Sequence, residues 1–216
     1  MSKIIYSFLG DYYHNHDDSY EVIKKVTQTV GGIDLFDEKI ENIEVALAKN
    51  PDVLIIYKEN RLNPNAIDDE FWLTPEIDEK IYNYVKNGGK IIGLHAGISS
   101  YPSDSKYMDI LKGKFLTHPE KMCEVKYVFD NPQAVGYKEL IDYTIVDEHY
   151  FTAVDVANTT VFLRSVSEHG EYPAGWYHPY EKGYVICVTP AHSKEGLNDT
   201  DTLNLYTHIL KEILNK

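Results

Sequence analysis

The sequence predicts an α/β protein built on a doubly wound, parallel sheet, and three observations carry that reading. Unbroken apolar runs of strand length recur at residues 3–9, 51–57 and 90–94, as strands buried on both faces require. Segments with helical start and stop signals lie between them. The glycine pairs Gly31-Gly32 and Gly88-Gly89 close two of those segments.

Taken in order, residues 3–9 form the first strand and GDYYHNHDD a loop. A helix over 19–29 follows, with Asp18 and Glu21 in a capping-box arrangement. A second helix over 40–48 leads into the strand at 51–57, and residues 58–73 are a long loop. Thr74-Pro75-Glu76 opens the next helix, with proline in its first turn and Ile77, Ile81, Tyr84 and Val85 on one face. The strand at 90–94 completes a β-α-β-α-β series, whose crossovers are expected to be right-handed. The second half reads as strands at 125–129, 142–146, 160–166 and 183–189 with hairpin-like links. A last helix covers 202–214, with Leu203, Tyr206, Leu210 and Leu214 on one face. The whole is expected to be one domain, 1–216, with additional strands after residue 115.

Charge narrows the partners. With 34 acidic against 21 basic residues the net charge is −13, so the surface repels phosphate backbones and anionic lipid. No nucleic acid and no membrane is expected; a small molecule, or a second copy of the chain in a homo-oligomer, remains. Cys123 and Cys187 are far apart in sequence and form no CxxC. The first apolar run is too short for a signal peptide, and no stretch approaches the ~20 apolar residues of a membrane span. A soluble, cytoplasmic protein is expected.

Ligands of such sheets bind at the carboxyl ends of the strands, and titratable residues concentrate there. His14 and His16 follow the first strand, and His95 follows the strand at 90–94. Glu148 and His149 lie in IVDEHY, and His192 follows the last strand. His118 lies in GKFLTHP. Each alone is an ordinary loop residue, but the topology brings several to one rim. Gly93-Leu94-His95-Ala96-Gly97 has the glycine spacing of a nucleophile elbow with histidine where Ser or Cys would stand. An imidazole there cannot form the thioester that a cysteine would, so glutamine hydrolysis is not expected. Imidazoles with a carboxylate can hold a divalent ion such as zinc or move protons; no short metal motif such as HExxH decides between these.

The stretches YVKNGGKIIGLHAG, GKFLTHP, DEHYF and PAGWYHPYEKGYVICVTPAHSKE, with the closing helix, resemble the ThuA-like trehalose-utilisation family. The resemblance spans the first strand to the last helix. It implies the class I glutamine amidotransferase-like fold: a flavodoxin-like three-layer sandwich with a mostly parallel sheet and additional strands in the C-terminal half. In that family histidine commonly replaces the elbow cysteine, and His95 matches that position. The resemblance also places His118, Asp147-Glu148, Trp176 and His192 near the cleft. His149 after the acidic pair and PAHSKEG in place of a Gly-His pair depart from its pattern. It implies use of trehalose or related disaccharides, with oxidised (3-keto) sugars as the reacting species.

Three readings stay open on these residues. In the first, a carbohydrate enzyme uses His95, Glu148 and His192 as catalytic groups. His14, His16, His118, His149 and Trp176 then contact the sugar, and any metal is held by His95, Glu148 and His192. The second is a non-catalytic sugar- or metabolite-binding module, and the third an amidotransferase or peptidase relative with a rewired nucleophile.

Overall fold

The structure is a computed structural model describing residues 2–68, 70–130 and 140–216. Its first half runs β1 (Lys3–Leu9), α1 (His16–Val30), β2 (Ile33–Asp37), α2 (Ile43–Ala48), β3 (Val53–Tyr57), α3 (Pro75–Lys86) and β4 (Lys90–Leu94). A 3-10 turn at His95–Ile98 leads to α4 (Lys106–Leu111), β5 (Gly113–Thr117), β6 (Cys123–Phe129) and β7 (Tyr143–Asp147). Then come β8 (Phe151–Val154), β9 (Thr160–Ser167), β10 (Gly170–Tyr180), β11 (Gly183–Val188), α5 (Lys194–Leu197) and α6 (Thr200–Leu214).

The described residues form a nine-stranded sheet in the order β2-β1-β3-β4-β11-β10-β9-β6-β7 and a two-stranded sheet of β5 and β8. From β2 to β11 the neighbours are parallel; from β11 to β7 each pair is antiparallel. This is the flavodoxin-like α/β sandwich with its antiparallel extension. The alternation of directions brings the carboxyl ends of β1, β3, β4, β7 and β11 to one edge.

Side chains of the central strands alternate between two cores. Val53, Ile55, Tyr57, Ile186 and Val188 pack under α1 and α6 with Val22, Val26, Leu205 and Ile209. Leu54, Ile56, Val185 and Cys187 face α2, α3 and α4 with Ile43, Ile81, Val85 and Ile110. That period of two within unbroken apolar runs makes three layers from one sequence pattern. Among the described residues no helix is long and apolar enough to cross a membrane.

Several local expectations are corrected. Helix α1 begins three residues earlier than expected, because Asn15, not Asp18, caps it: Asn15 Oδ1 accepts the Asp18 N–H at 3.1 Å. Ser105 caps α4, its side chain accepting the Met108 N–H. Strand β2 lacks the unbroken apolar run of the other parallel strands, since Asp34 and Asp37 interrupt it. The longest strand, β10, was hidden by Pro173 and Gly175, residues that argue against a strand. The structure absorbs them in register shifts at those positions. The buried face of α6 is Leu205, Tyr206, Ile209, Leu210 and Ile213, with Leu203 and Leu214 only flanking it.

Candidate functional site

Four loops at the carboxyl edge build the site. After β1, Gly10 takes a φ of 71°, and a Cβ there would meet His16 Cα at 2.7 Å, so the chain turns tightly. Asp11 then organises the turn. Its Oδ1 accepts the N–H groups of Tyr13 at 2.9 Å and His14 at 3.1 Å, and the His14 Nδ1–H at 2.7 Å. Burial works to raise the Asp11 pKa, but the His14 hydrogen bond and charge outweigh it and the net shift is downward.

After β4 the chain takes up the expected elbow in reduced form. His95 sits at a φ of 41°, in the left-handed region that side chains beyond glycine avoid. Gly97 makes the close approach possible: a Cβ there would stand 2.1 Å from the Ile56 carbonyl oxygen. The turn fixes His95 with its Nδ1–H donated to the Thr189 carbonyl at 2.6 Å and its ring stacked on Tyr150, centroids 4.0 Å apart. His95 is 0% exposed, and burial pushes its pKa down to about 4, so the ring is neutral near pH 7.

After β7, Asp147 is buried and Glu148 turns toward the histidines. Asp147 Oδ1 accepts the N–H groups of Glu148 at 3.0 Å and His192 at 2.8 Å, and Oδ2 accepts the Tyr127 hydroxyl at 2.7 Å. After β11, two buried tyrosines hold residues 190–192. Tyr57 donates its hydroxyl to the Ala191 carbonyl at 2.9 Å, and Tyr206 donates to the Pro190 carbonyl while accepting the Ala191 N–H.

These loops bring His14, His95, Glu148 and His192 together, with one ligating atom from each inside a 4.8 Å span. Among the described residues it is the one group of three or more His, Cys, Asp or Glu side chains close enough to share an ion. His192 Nδ1 lies 3.1 Å from His14 Nε2, 3.4 Å from His95 Nε2 and 3.1 Å from Glu148 Oε2. His95 Nε2 is 3.6 Å from the same carboxylate oxygen. Zinc–nitrogen bonds of ~2.0–2.1 Å would set tetrahedral ligand atoms ~3.3 Å apart, so the spacing suits a small divalent cation.

Hydrogen counting points the same way. His14 and His95 each give the Nδ1 proton to an outward acceptor, so in the neutral rings both Nε2 atoms present lone pairs inward. Glu148 adds a carboxylate. Burial works to raise its pKa, but the hydrogen bonds and charges of His192 and His95 hold it well below the usual carboxylate range. His192 Nδ1 has at most one proton for these three acceptors. Outward donation by metal-binding imidazoles to a carboxylate or carbonyl is also the usual supporting arrangement at such centres.

Beside the cluster lies a cavity of about 280 Å³, lined by Tyr13, His14, Glu59, Arg61, Ser99, Phe115, His118, Glu148 and Tyr150. A larger depression of about 730 Å³ lies between α2 and α3, around Lys80 and Tyr84, away from the histidines.

The sequence matches the ThuA family, described as trehalose utilisation, over residues 7–210. The chain belongs to the ThuA family. Among solved structures it is similar to a ThuA-like protein of Bacteroides uniformis, at 17% identity and a TM-score of 0.71, covering 97% of this chain and 89% of that one. A ThuA-like protein of Parabacteroides merdae is 13% identical with a TM-score of 0.71, over 99% of this chain and 89% of that one. A β-galactosidase of Rahnella sp. R3 shares the fold over 98% of this chain but 31% of its own length, at 12% identity and a TM-score of 0.65. At these identities the likeness is one of fold. No curated protein matches the chain.

Against this ThuA-family fold the other candidate residues separate. His118 stands at the rim, its Nε2 3.8 Å from Glu148 Oε1 and its Nδ1–H donated to the Pro119 carbonyl at 2.7 Å. His16 lies outside the cluster and the cavity beside it. It is half-exposed, bonded to Asp17 and Asp37 at the start of α1. His149 points away: it is buried between Ser167 and Ser165, 2.7 and 3.0 Å from their hydroxyls. Trp176 is 0% exposed and donates its Nε1–H to the Leu111 carbonyl at 2.8 Å, so its face is packed in the core and not open to a sugar. His14, expected as a sugar contact, lines the cavity and also completes the cluster. Sequence reading missed Asp11, Glu59, Arg61 and Tyr150. The first three follow β1 and β3 directly, and position at a strand end was the signal that could have found them.

Proposed function

We propose that this ThuA-family protein transforms a sugar, such as trehalose, a related disaccharide or its oxidised (3-keto) form, at a divalent-cation centre held by His14, His95, Glu148 and His192. The observation that carries the reading is the convergence of inward-facing lone pairs and one carboxylate, with too few hydrogens to satisfy them. A cation bound there would supply Lewis-acid polarisation of a sugar carbonyl or hydroxyl oxygen. The chain's own groups do the rest. His118 Nε2 faces the cavity with its partner nitrogen committed to Pro119, so it is placed to take or return a proton at a bound ligand. Tyr150 and Phe115, with ring centroids 4.3 Å apart, wall the cavity with apolar surface and limit water. The expectation of a cytoplasmic protein fits a neighbour of this fold described as a cytoplasmic protein of Salmonella typhimurium.

The test is turnover. Purified protein is incubated with trehalose and with 3-keto-glucosides, and product is followed by NMR. Consumption of a keto-sugar by wild type, lost in Glu148→Gln and slowed in His118→Ala with metal content retained, supports the reading. Tight sugar binding without turnover would favour the binding-module alternative.

A further inference from the structure

Glu59 sits just beyond β3 and is held from every side but one. Its backbone N–H is donated to Asp11 Oδ2 at 2.9 Å, and its carbonyl accepts the Trp72 Nε1–H at 3.0 Å. Its Oε2 accepts Arg61 Nε at 3.1 Å, Arg61 Nη2 at 2.9 Å and the Ser100 hydroxyl at 2.8 Å. The other oxygen, Oε1, is buried and has no hydrogen-bond partner among the described residues. The residue is 2% exposed and lines the 280 Å³ cavity. A buried carboxylate oxygen without a donor carries an uncompensated desolvation cost, which a bound donor would remove.

We propose that Glu59, steadied by Arg61 and Ser100, is a ligand-binding residue that accepts a hydroxyl of a single neutral polyhydroxylated ring. The proposal rests on the proposed function only in taking this cavity as the sugar site. Asp11 couples the two ends physically, since one of its oxygens holds His14 and the other holds Glu59. Three features select the ligand. The guanidinium that could attract an anion is already paired with Glu59, so a phosphate gains little there. Tyr13, Phe115 and Tyr150 line the cavity with aromatic carbon, which suits the C–H surface of a sugar ring. The volume is just under the ~300–1,000 Å³ of pockets that take drug-sized ligands, which suits one ring and leaves a second unit of a disaccharide outside.

Isothermal titration of the full-length protein tests this with D-glucose, D-galactose, D-mannose, their monodeoxy analogues and glucose 6-phosphate as probes. Wild type is expected to bind at least one neutral sugar more tightly than the phosphate. Glu59→Gln should weaken that binding tenfold or more while metal content and melting temperature stay near wild type. Loss of one particular hydroxyl should cost affinity in wild type but not in Glu59→Gln. If Glu59→Gln does not fold, Ser100→Ala, which removes the hydroxyl steadying Oε2, should weaken the same sugar. Binding unchanged by either variant, preference for the phosphate, or no binding of any probe would overturn the proposal. Metal-free wild type with Glu59-dependent sugar binding would sink the cation centre and leave this inference standing. A metal-loaded protein whose sugar binding ignores Glu59 would do the reverse.

Discussion

One carboxylate oxygen of Asp147 accepts the backbone N–H of His192 at 2.8 Å, tying the end of β7 to the loop after β11. The same oxygen holds the Glu148 N–H, so one buried side chain sets two members of the cluster against each other. Asp147→Ala would strand both N–H groups and the Tyr127 hydroxyl. The expected cost is about 2–4 kcal/mol of stability, with metal affinity falling about 10–100-fold. Urea unfolding and metal titration measure the two; unchanged metal affinity would contradict the coupling.

His95→Ala removes the bond to Thr189 and the stack on Tyr150 from a fully buried position. It is expected to cost about 1–3 kcal/mol and to empty the cation centre. His95 thus fills buried space as well as presenting Nε2 to the cluster. His95→Gly relieves the left-handed φ, worth about 1–2 kcal/mol for an L-residue, partly offset by unfolded-chain entropy. Thermal unfolding should therefore place Gly level with or above Ala. A Gly variant melting well below Ala would mean that no strain resides at this turn.

The fold was legible because its central strands carry unbroken apolar runs, and glycine pairs and Thr74-Pro75 mark the helix ends. The site was legible only where chemistry follows a strand directly, as at His14, His95, Glu148 and His192. Trp176 and His149 misled because sequence order does not tell which face of an antiparallel strand, or which side of a turn, a residue takes. Glu59 and Arg61 also follow a strand, but the partners that fix Glu59, Asp11 and Ser100, are distant in sequence and reach it only by folding.

Gly97→Ala should fail for a steric reason. The added Cβ would meet the Ile56 backbone carbonyl oxygen at 2.1 Å, and since neither a Cβ nor a backbone atom has a rotamer, no side-chain change relieves the clash. A loss of about 3 kcal/mol is expected. Circular dichroism melts check it, and a melting temperature within a degree or two of wild type would show that the turn at His95 can open freely.

Metal affinity should rise with pH. Burial works to lower the His192 pKa, but the Glu148 hydrogen bond and charge outweigh it and raise it above the ordinary 6.5. A cation must displace that proton, so affinity should drop about tenfold per pH unit below the raised value. His95, at about 4, adds nothing near neutrality. In the metal-free protein the sign reverses: the His192 contribution to stability is complete below 6.5 and is lost as pH rises through the raised value. Calorimetric metal titrations in buffers of different ionisation enthalpy read the released proton, and a pH-independent affinity would contradict the assignment.

Elemental analysis of untagged, chelator-free protein tests the central claim most directly. About one equivalent of a divalent metal per chain is expected, most simply zinc, removed by a strong chelator and absent from His14→Ala, His95→Ala and Glu148→Gln. Metal well below one equivalent in wild type, with sugar turnover indifferent to chelators, would contradict it.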